Sequence, residues 1–174
     1  MKSIKKIGLF LTAGLLCLNA MAQTKKDIVD VAAGSADHST LVAAVKAADL
    51  VTTLKSKGPF TVFAPTNAAF EKLPAGTLTN LLKPASKAAL TGILTYHVVS
   101  GNLTAKALLD AIKKGKGKTE LTTVAGGKLT AAVENGKVVL TDAKGGKATV
   151  TATDLKASNG VIHVIDAVLL PAAK

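Results

Sequence analysis

Apolar residues recur with a helical period through most of the first half of the chain. Asp27 to Ala33 is a short amphipathic segment that predicts a first helix. A longer helix is predicted next, capped by Ser39 and ending before Gly58-Pro59. Its apolar stripe consists of Leu41, Ala44, Val45, Ala48 and Val51. This spacing indicates a helix with one face in a core.

One strand lies among these helices. The segment PFTVFAP, from Pro59 to Pro65, is β-branched and aromatic and is bounded by prolines, which predicts a buried strand. Thr66 or Asn67 can cap a short helix from Ala68 to Leu73. Ser86 can cap another helix, with Leu90, Ile93 and Leu94 along one side, and Thr104 can cap the helix that follows.

The second half of the chain has the pattern of an antiparallel meander. Short runs of valine, threonine and leucine alternate with glycine-containing turns, and Asn135-Gly136 favours a two-residue type I′ hairpin. Strands are predicted near 120–125, 128–134, 137–142, 147–154 and 161–169. Lys113 to Lys118, KKGKGK, is predicted to be a solvated connector between the two halves. Helices followed by strands predict an α+β fold.

The amino terminus has the pattern of an export signal. Lys2, Lys5 and Lys6 precede a short apolar run, and Ala20-Met21-Ala22 supplies the small residues of a cleavage site. We therefore predict a signal peptide over residues 1–22 and a single domain over residues 23–174. The lone cysteine, Cys17, is preceded by leucines, which disfavours a lipid anchor, and cleavage would remove it. The mature chain would have no disulfide and no transmembrane segment.

The charge of the chain is strongly basic but comes from lysine alone. The formal charge is +11, the sequence contains no arginine, and aromatic residues make up 3% of the chain. Without guanidinium forks or stacking platforms, specific nucleic-acid recognition is disfavoured. Nonspecific attraction to anionic polymers or membranes stays open, and a solubilising surface is the preferred interpretation.

Catalytic signatures are mostly missing. No nucleophile elbow, phosphate loop, zinc-protease helix or calcium loop is present. A zinc site would need His38, His97 and His163 to converge, which their spacing does not favour. A serine hydrolase built from Ser100, His97 and an aspartate is the other chemical alternative. We expect a non-enzymatic protein without a cofactor.

Two histidine-containing segments are interpreted as structural. Tyr96 and His97 fall where a helix is expected to pass into a strand, so their side chains diverge and do not form a dyad. His163 alternates with apolar residues in NGVIHVID, which predicts a polar anchor in the core. Asp166 in the same segment would need backbone N–H groups or a hydroxyl as partners if it is buried.

Three of these segments, taken in order, resemble the signatures of the fasciclin-like domain family. They are TVFAPTNAAF at 61–70, ILTYHVVSG at 93–101 and NGVIHVIDAVLLP at 159–171. The resemblance implies a wedge-shaped β-sandwich with a helical cluster, and a non-enzymatic role in adhesion. By the same resemblance, one binding segment maps to Tyr96 and His97 with their apolar neighbours Leu94, Val98 and Val99. The second maps to Asp154 and Leu155.

The expected function is adhesion or surface association by an exported protein, periplasmic or extracellular. Its partners would be cell-surface, matrix or envelope proteins or polysaccharides. A small-molecule carrier or weak hydrolase with a cleft near His97 is the alternative, and a large apolar cavity beside Tyr96 and His97 would favour it. A structural or immunogenic envelope protein without a dedicated ligand is a third possibility.

Overall fold

The computed structural model describes residues 25–172, so the predicted signal peptide, with Cys17, lies outside the described residues. Helices dominate the first half of the described residues, with the first two strands among them, and the last five strands follow the last helix. The helices are α1 (Ile28–Ala33), α2 (Ser39–Ala47), α3 (Val51–Leu54), α4 (Asn67–Glu71), α5 (Thr77–Leu81), α6 (Lys87–Tyr96) and α7 (Ala105–Lys114), with 3-10 turns at Ala36–His38 and Pro84–Ser86. The strands are β1 (Phe60–Pro65), β2 (Val98–Ser100), β3 (Lys118–Thr122), β4 (Lys128–Glu134), β5 (Lys137–Thr141), β6 (Lys147–Ala157) and β7 (Gly160–Ile165). The α+β class is confirmed.

The seven described strands form one sheet in the order β2-β1-β7-β6-β5-β4-β3. β1 and β7 run parallel, with Phe60 opposite Gly160, and the other neighbouring strands are antiparallel. β6 has two register shifts between Val150 and Leu155. Irregularities of this kind bend a strand. The two ends of the sheet meet where Val99 forms a bridge with Thr123, so the sheet is nearly closed.

The sheet separates two hydrophobic clusters. A helix-side cluster joins α1, α2, α3 and α6 to one face of β1 and β7, through residues such as Val62 and Ile162. A sheet-side cluster receives side chains from all seven strands and from α7, including Phe63 and Ile165. Alternating residues of β1 and β7 therefore serve different cores. This explains why both strands read as continuous apolar runs in the sequence.

The predicted long helix after Ser39 is wrong, because the chain ends α2 at Ala47 and starts α3 at Val51. Asp49 takes a left-handed conformation with φ of 60°. The N–H of Leu50 then donates to the Val45 carbonyl, and the N–H of Asp49 donates to that of Lys46. These two bonds form a Schellman C-cap. Aspartate tolerates the left-handed region better than most residues, so this ending carried no glycine signal.

Two of the predicted caps are wrong and two are confirmed. Ser39 and Ser86 make no side-chain capping bond. Thr66 accepts a hydrogen bond from the Ala69 N–H and caps α4, and Thr104 accepts one from Ala107 and caps α7. At α2, the free N–H of Thr40 donates instead to the side-chain oxygen of Asn67, at 3.0 Å.

The predicted meander is confirmed, with shifted ends. β6 extends to Ala157, β7 ends at Ile165, and the KKGKGK connector shrinks to three residues because α7 and β3 take its lysines at either end. Asn135 and Gly136 both have positive φ, at 52° and 77°, as a type I′ hairpin requires. Within residues 25–172, no helix has the length and apolar character needed to cross a bilayer.

Candidate functional site

Tyr96 is the last residue of α6, and its side chain is buried in the sheet-side cluster. It is 0% exposed. Its hydroxyl donates to the Lys128 carbonyl at 2.6 Å and accepts from the Ala143 N–H at 3.1 Å. Burial raises the pKa of the phenol. Tyr96 therefore ties α6 to the start of β4 and to the turn after β5, and it presents no reactive group.

A glycine gives the tyrosine ring its space. A Cβ built at Gly127 would lie 2.5 Å from Cε2 of Tyr96 and 2.9 Å from its Cδ2. No side chain fits at these distances, so the turn before β4 packs its bare backbone on the ring. The Gly126-Gly127 pair, which looks like an ordinary turn in the sequence, is thus part of the Tyr96 environment.

His97 turns away from Tyr96 and is bonded to the backbone at both ring nitrogens. Nδ1 lies 2.8 Å from the Ile93 carbonyl, and the Leu169 N–H donates to Nε2 at 3.0 Å. Because Nε2 accepts, the ring proton must sit on Nδ1. Burial lowers the pKa of His97 to about 4, against smaller opposing effects of the Ile93 bond and of Asp142. The ring is neutral at ordinary pH.

These contacts leave His97 without catalytic partners among the described residues. Its two ring nitrogens bind backbone groups and neither binds Ser100 or an aspartate. The side chains of Tyr96 and His97 diverge, as expected, and they bond to different segments of the chain.

The helix-to-strand joint at Tyr96 and His97 also holds the end of the described chain. Leu169 bonds to His97, and the Leu170 N–H donates to Oδ2 of Asp142 at 2.9 Å. Oδ1 of Asp142 also accepts from the N–H groups of Lys144 and Gly146. Asp142 was not singled out from the sequence, although an aspartate before a Lys-Gly-Gly turn is a typical turn-forming residue.

A cavity of about 30 Å³ adjoins His97 in the helix-side cluster. Its walls are almost entirely aliphatic, including Val29, Val45, Leu94 and Ile162. A single water needs about 10–15 Å³ measured this way, so the space has room for about two waters. The cavity next to His97 is too small for the cargo of a carrier.

His163 is fully buried in the middle of β7. Its Nε2 lies 2.7 Å from the Leu103 carbonyl, and the Asp154 N–H approaches Nδ1 at 3.4 Å. Its ring stacks on Phe63, with centroids 5.6 Å apart. His163 is the core polar anchor that the alternation of NGVIHVID predicts. It also connects the strand to Asp154.

Asp154 lies inside the irregular part of β6 and not at a strand end. Its φ is 58°, a turn-like conformation within the strand. Its Oδ1 accepts from the Ala105 N–H at 2.8 Å, so it caps the first residue of α7 together with Thr104. The next residue, Leu155, is 39% exposed. The pair divides its roles, with Asp154 held by the fold and Leu155 facing solvent.

Asp166 follows β7 and is half-exposed. Its Oδ1 accepts from the Thr149 N–H at 2.7 Å, and Lys72 lies 3.9 Å from Oδ2. The predicted backbone partner is present. The carboxylate holds β6 against the end of β7.

The structural roles of two asparagines were not predicted from the sequence. Asn67 bonds the N–H of Thr40 and the carbonyl of Ala36, which fixes the start of α2. Asn159 accepts from the Ile28 N–H at 3.0 Å and donates to the Leu54 carbonyl at 2.7 Å. Both belong to the quoted signature segments, where they read as a cap and as a turn residue. Their long-range bonds have no local sequence signal.

Comparisons with known proteins agree on one family. The sequence model of the Fasciclin domain matches residues 36–171. The chain is 54% identical over 152 residues to Protein sll1483 of Synechocystis sp., covering 87% of this chain and 77% of that protein. It is 38% identical over 151 residues to transforming growth factor-beta-induced protein ig-h3 of Sus scrofa, covering 84% of this chain and 19% of that protein.

A solved structure shares the fold. It is a FAS1 domain pair from the insect cell adhesion molecule fasciclin I, with a TM-score of 0.71 and 21% sequence identity. The match covers 86% of this chain and 51% of that one. With the family model spanning most of the described residues, the chain belongs to the fasciclin domain family.

Proposed function

We propose that this protein is an exported, non-enzymatic adhesion module that contacts its partner through the corner formed by Asp154 and Leu155. The observation that carries the proposal is an exposed leucine on a rigid frame. Leu155 is 39% exposed, whereas the residue before it is bonded on two sides. A contact group held in place before binding loses less conformational freedom on association.

The frame around Leu155 is built from three elements. The Asp154 carboxylate caps α7, and its backbone N–H approaches His163 of β7. The positive φ of Asp154 turns the strand at this point. Leu155 thus projects from a bend in β6 that is hydrogen-bonded to α7 on one side and to β7 on the other.

Tyr96 and His97 enter this proposal as supports and not as contacts. Neither side chain is more than 2% exposed, so a partner cannot touch them while the fold is intact. They hold α6, the start of β4 and the end of the described chain together. Their effect on binding would be indirect, through stability.

The lysine surface adds a second, weaker component. A basic protein is attracted to anionic envelope polymers over distances of about 8–10 Å, and salt screens that attraction. This component sets the rate of encounter more than the specificity of the complex. The partner we envisage is a cell-surface, matrix or envelope protein or polysaccharide with an apolar patch that accepts Leu155.

The test compares two exposed apolar residues on the sheet. Leu155→Ser removes the proposed contact, and Val133→Ser is the matched control, since Val133 is 43% exposed on β4. Retention of each purified variant on immobilised envelope and matrix fractions is measured at about 0.15 M salt and again at high salt. We expect Leu155→Ser to lower retention about tenfold and Val133→Ser to leave it within twofold.

Two results would overturn the proposal. Equal loss in both variants would mean that the Asp154-Leu155 corner has no special role. Retention that disappears in high salt for every variant would assign binding to the lysine surface alone.

A further inference from the structure

Of the three histidines, His38 alone has a ring nitrogen without a hydrogen-bond partner in residues 25–172. His97 and His163 use both nitrogens. In His38, Nδ1 lies 3.0 Å from Oγ of Ser35, whereas Nε2 has no partner although the residue is only 5% exposed. Buried polar atoms are nearly always bonded, so this nitrogen has a hydrogen-bonding capacity that the described residues leave unused.

His38 lines a cleft of about 270 Å³ between α1 and the sheet. That volume is close to the lower end of the range of about 300–1,000 Å³ for small-molecule sites. The walls are mostly aliphatic, and Lys26 is the charged residue among those that line the cleft. The apolar lining residues are Val31, Ala32, Ala64, Leu155 and Ile162.

The cleft adjoins the small cavity beside His97. Ala32, Ala64 and Ile162 line both spaces, so these side chains form the partition between them. The inner cavity is almost entirely apolar. An apolar chain that enters the cleft therefore contacts the partition, and the inner cavity lies directly behind it. Small movements of the partition side chains would join the cavity to the cleft.

The polar residues of the cleft indicate which polar group a ligand would carry. If the Ser35 hydroxyl donates to Nδ1, the proton of the ring lies on Nε2. Nε2 has less than 1 Å² of accessible surface, so a ligand in the cleft bonds to it only after a small side-chain movement. Burial lowers the pKa of His38, against a smaller opposing effect of Asp37, so the ring is neutral at ordinary pH. Lys26 forms no ion pair with another described residue. A neutral N–H donor and a cation together suit a carboxylate.

We propose that this cleft binds a medium-length aliphatic carboxylate, with its carboxylate between His38 and Lys26 and its chain along Val31, Ala64 and Ile162. This proposal does not rest on the proposed adhesive contact. Leu155 borders both, and it is therefore left unchanged in the test below.

The first experiment follows the three histidine rings by NMR while decanoate is added to the full chain below its micelle concentration. We expect saturable shifts of the His38 ring nitrogens and much smaller shifts of those of His97 and His163. Absence of a saturable His38 response up to millimolar decanoate overturns the proposal, and so does an equal response of all three rings.

The second experiment uses calorimetry on matched variants. Lys26→Met is expected to weaken decanoate binding about tenfold, with Lys25→Met, its exposed neighbour, as the control within twofold. Ala32→Leu fills the partition and is expected to weaken binding at least tenfold, whereas Ala33→Leu, on the exposed side of α1, leaves it unchanged.

The same variants and a second probe, decanol, show which results would contradict the proposed site. Equal weakening by both lysine variants would mean general charge attraction, and equal weakening by both alanine variants would mean a loss of fold; either overturns the site. Decanol is expected to bind at least tenfold more weakly than decanoate. Equal binding of the two would remove the carboxylate from the proposal.

Discussion

The Tyr96-His97 pair and the Asp154-Leu155 pair are both related to binding by family resemblance, but the fold treats them in opposite ways. Tyr96 and His97 are buried and every polar atom of their side chains is bonded to backbone. Leu155 is exposed beside an aspartate that is bonded to α7. The family resemblance alone therefore did not indicate which of the mapped residues are exposed.

The two pairs are nevertheless connected through α7. Asp154 caps the first turn of this helix, and the buried face of the helix, with Leu108 and Ile112, belongs to the cluster that surrounds Tyr96. A change at either pair would therefore reach the other through packing.

Truncation of the tyrosine should have the largest effect. Tyr96→Ala removes a fully buried ring and leaves the Lys128 carbonyl and the Ala143 N–H without their partner, so we expect a loss of about 3–5 kcal/mol in the free energy of unfolding. Urea denaturation measures it. Tyr96→Phe, which keeps the ring, should cost about 1–3 kcal/mol. A loss under about 1 kcal/mol for Tyr96→Ala would contradict the buried-anchor assignment.

Acid should destabilise the joint through His97. Its pKa is lowered from 6.5 to about 4 by burial, so between these values the unfolded chain binds the additional proton. Stability should rise with pH from about 4 to 6.5 and level off above, and the contribution of His97 amounts to about 3 kcal/mol.

Denaturation curves over this pH range check the prediction. His38 also has a lowered pKa and contributes in the same direction. The informative quantity is therefore the difference between the unaltered protein and His97→Leu, which should be less stable at pH 7 but less dependent on pH. Identical slopes for the two proteins would show that His97 is not the titrating group.

Loss of the Asp154 carboxylate should have a moderate effect. Asp154→Ala removes a bond to the start of α7 and places alanine at a φ of 58°, so we expect a loss of about 1–2 kcal/mol. Asp154→Gly removes the same bond without the backbone strain and should cost less. Thermal denaturation ranks the two, and the reverse order would argue against strain at this position.

Substitution of the exposed leucine should have the smallest effect on stability. Leu155→Ser should change the free energy of unfolding by no more than about 0.5 kcal/mol, because the side chain is already partly in water. Its expected effect is on partner retention instead. If retention and stability fell together, Leu155 would be a packing residue and the contrast between the two pairs would disappear.

Local patterns accounted for much of the fold. The meander, the Asn135-Gly136 hairpin, the buried strand β1 and the caps at Thr66 and Thr104 followed from spacing and turn chemistry. The break at Asp49 was missed because its C-cap depends on an aspartate in a conformation usually taken by glycine. The bonds of Asn159 to Ile28 and Leu54 were missed because they join residues far apart in the sequence.

The candidate sites were less predictable than the fold. The sequence placed Tyr96 and His97 at a helix-to-strand joint, but not the Gly127 backbone against the ring or the Leu169 bond to the imidazole. It gave no indication that His38 would keep an unpaired nitrogen, because that depends on what α1 and the sheet bring next to it.

By itself, the sequence determined most of the strands and several of the helices, the family and the segments that carry its signatures. These follow from periodicity and from turn residues that act over a few positions. Only the tertiary structure decided which of the scarce polar groups are buried and satisfied, which is left unpaired at a cleft, and that Leu155 faces solvent. Burial and hydrogen-bond partners are set by distant segments, and no local pattern encodes them.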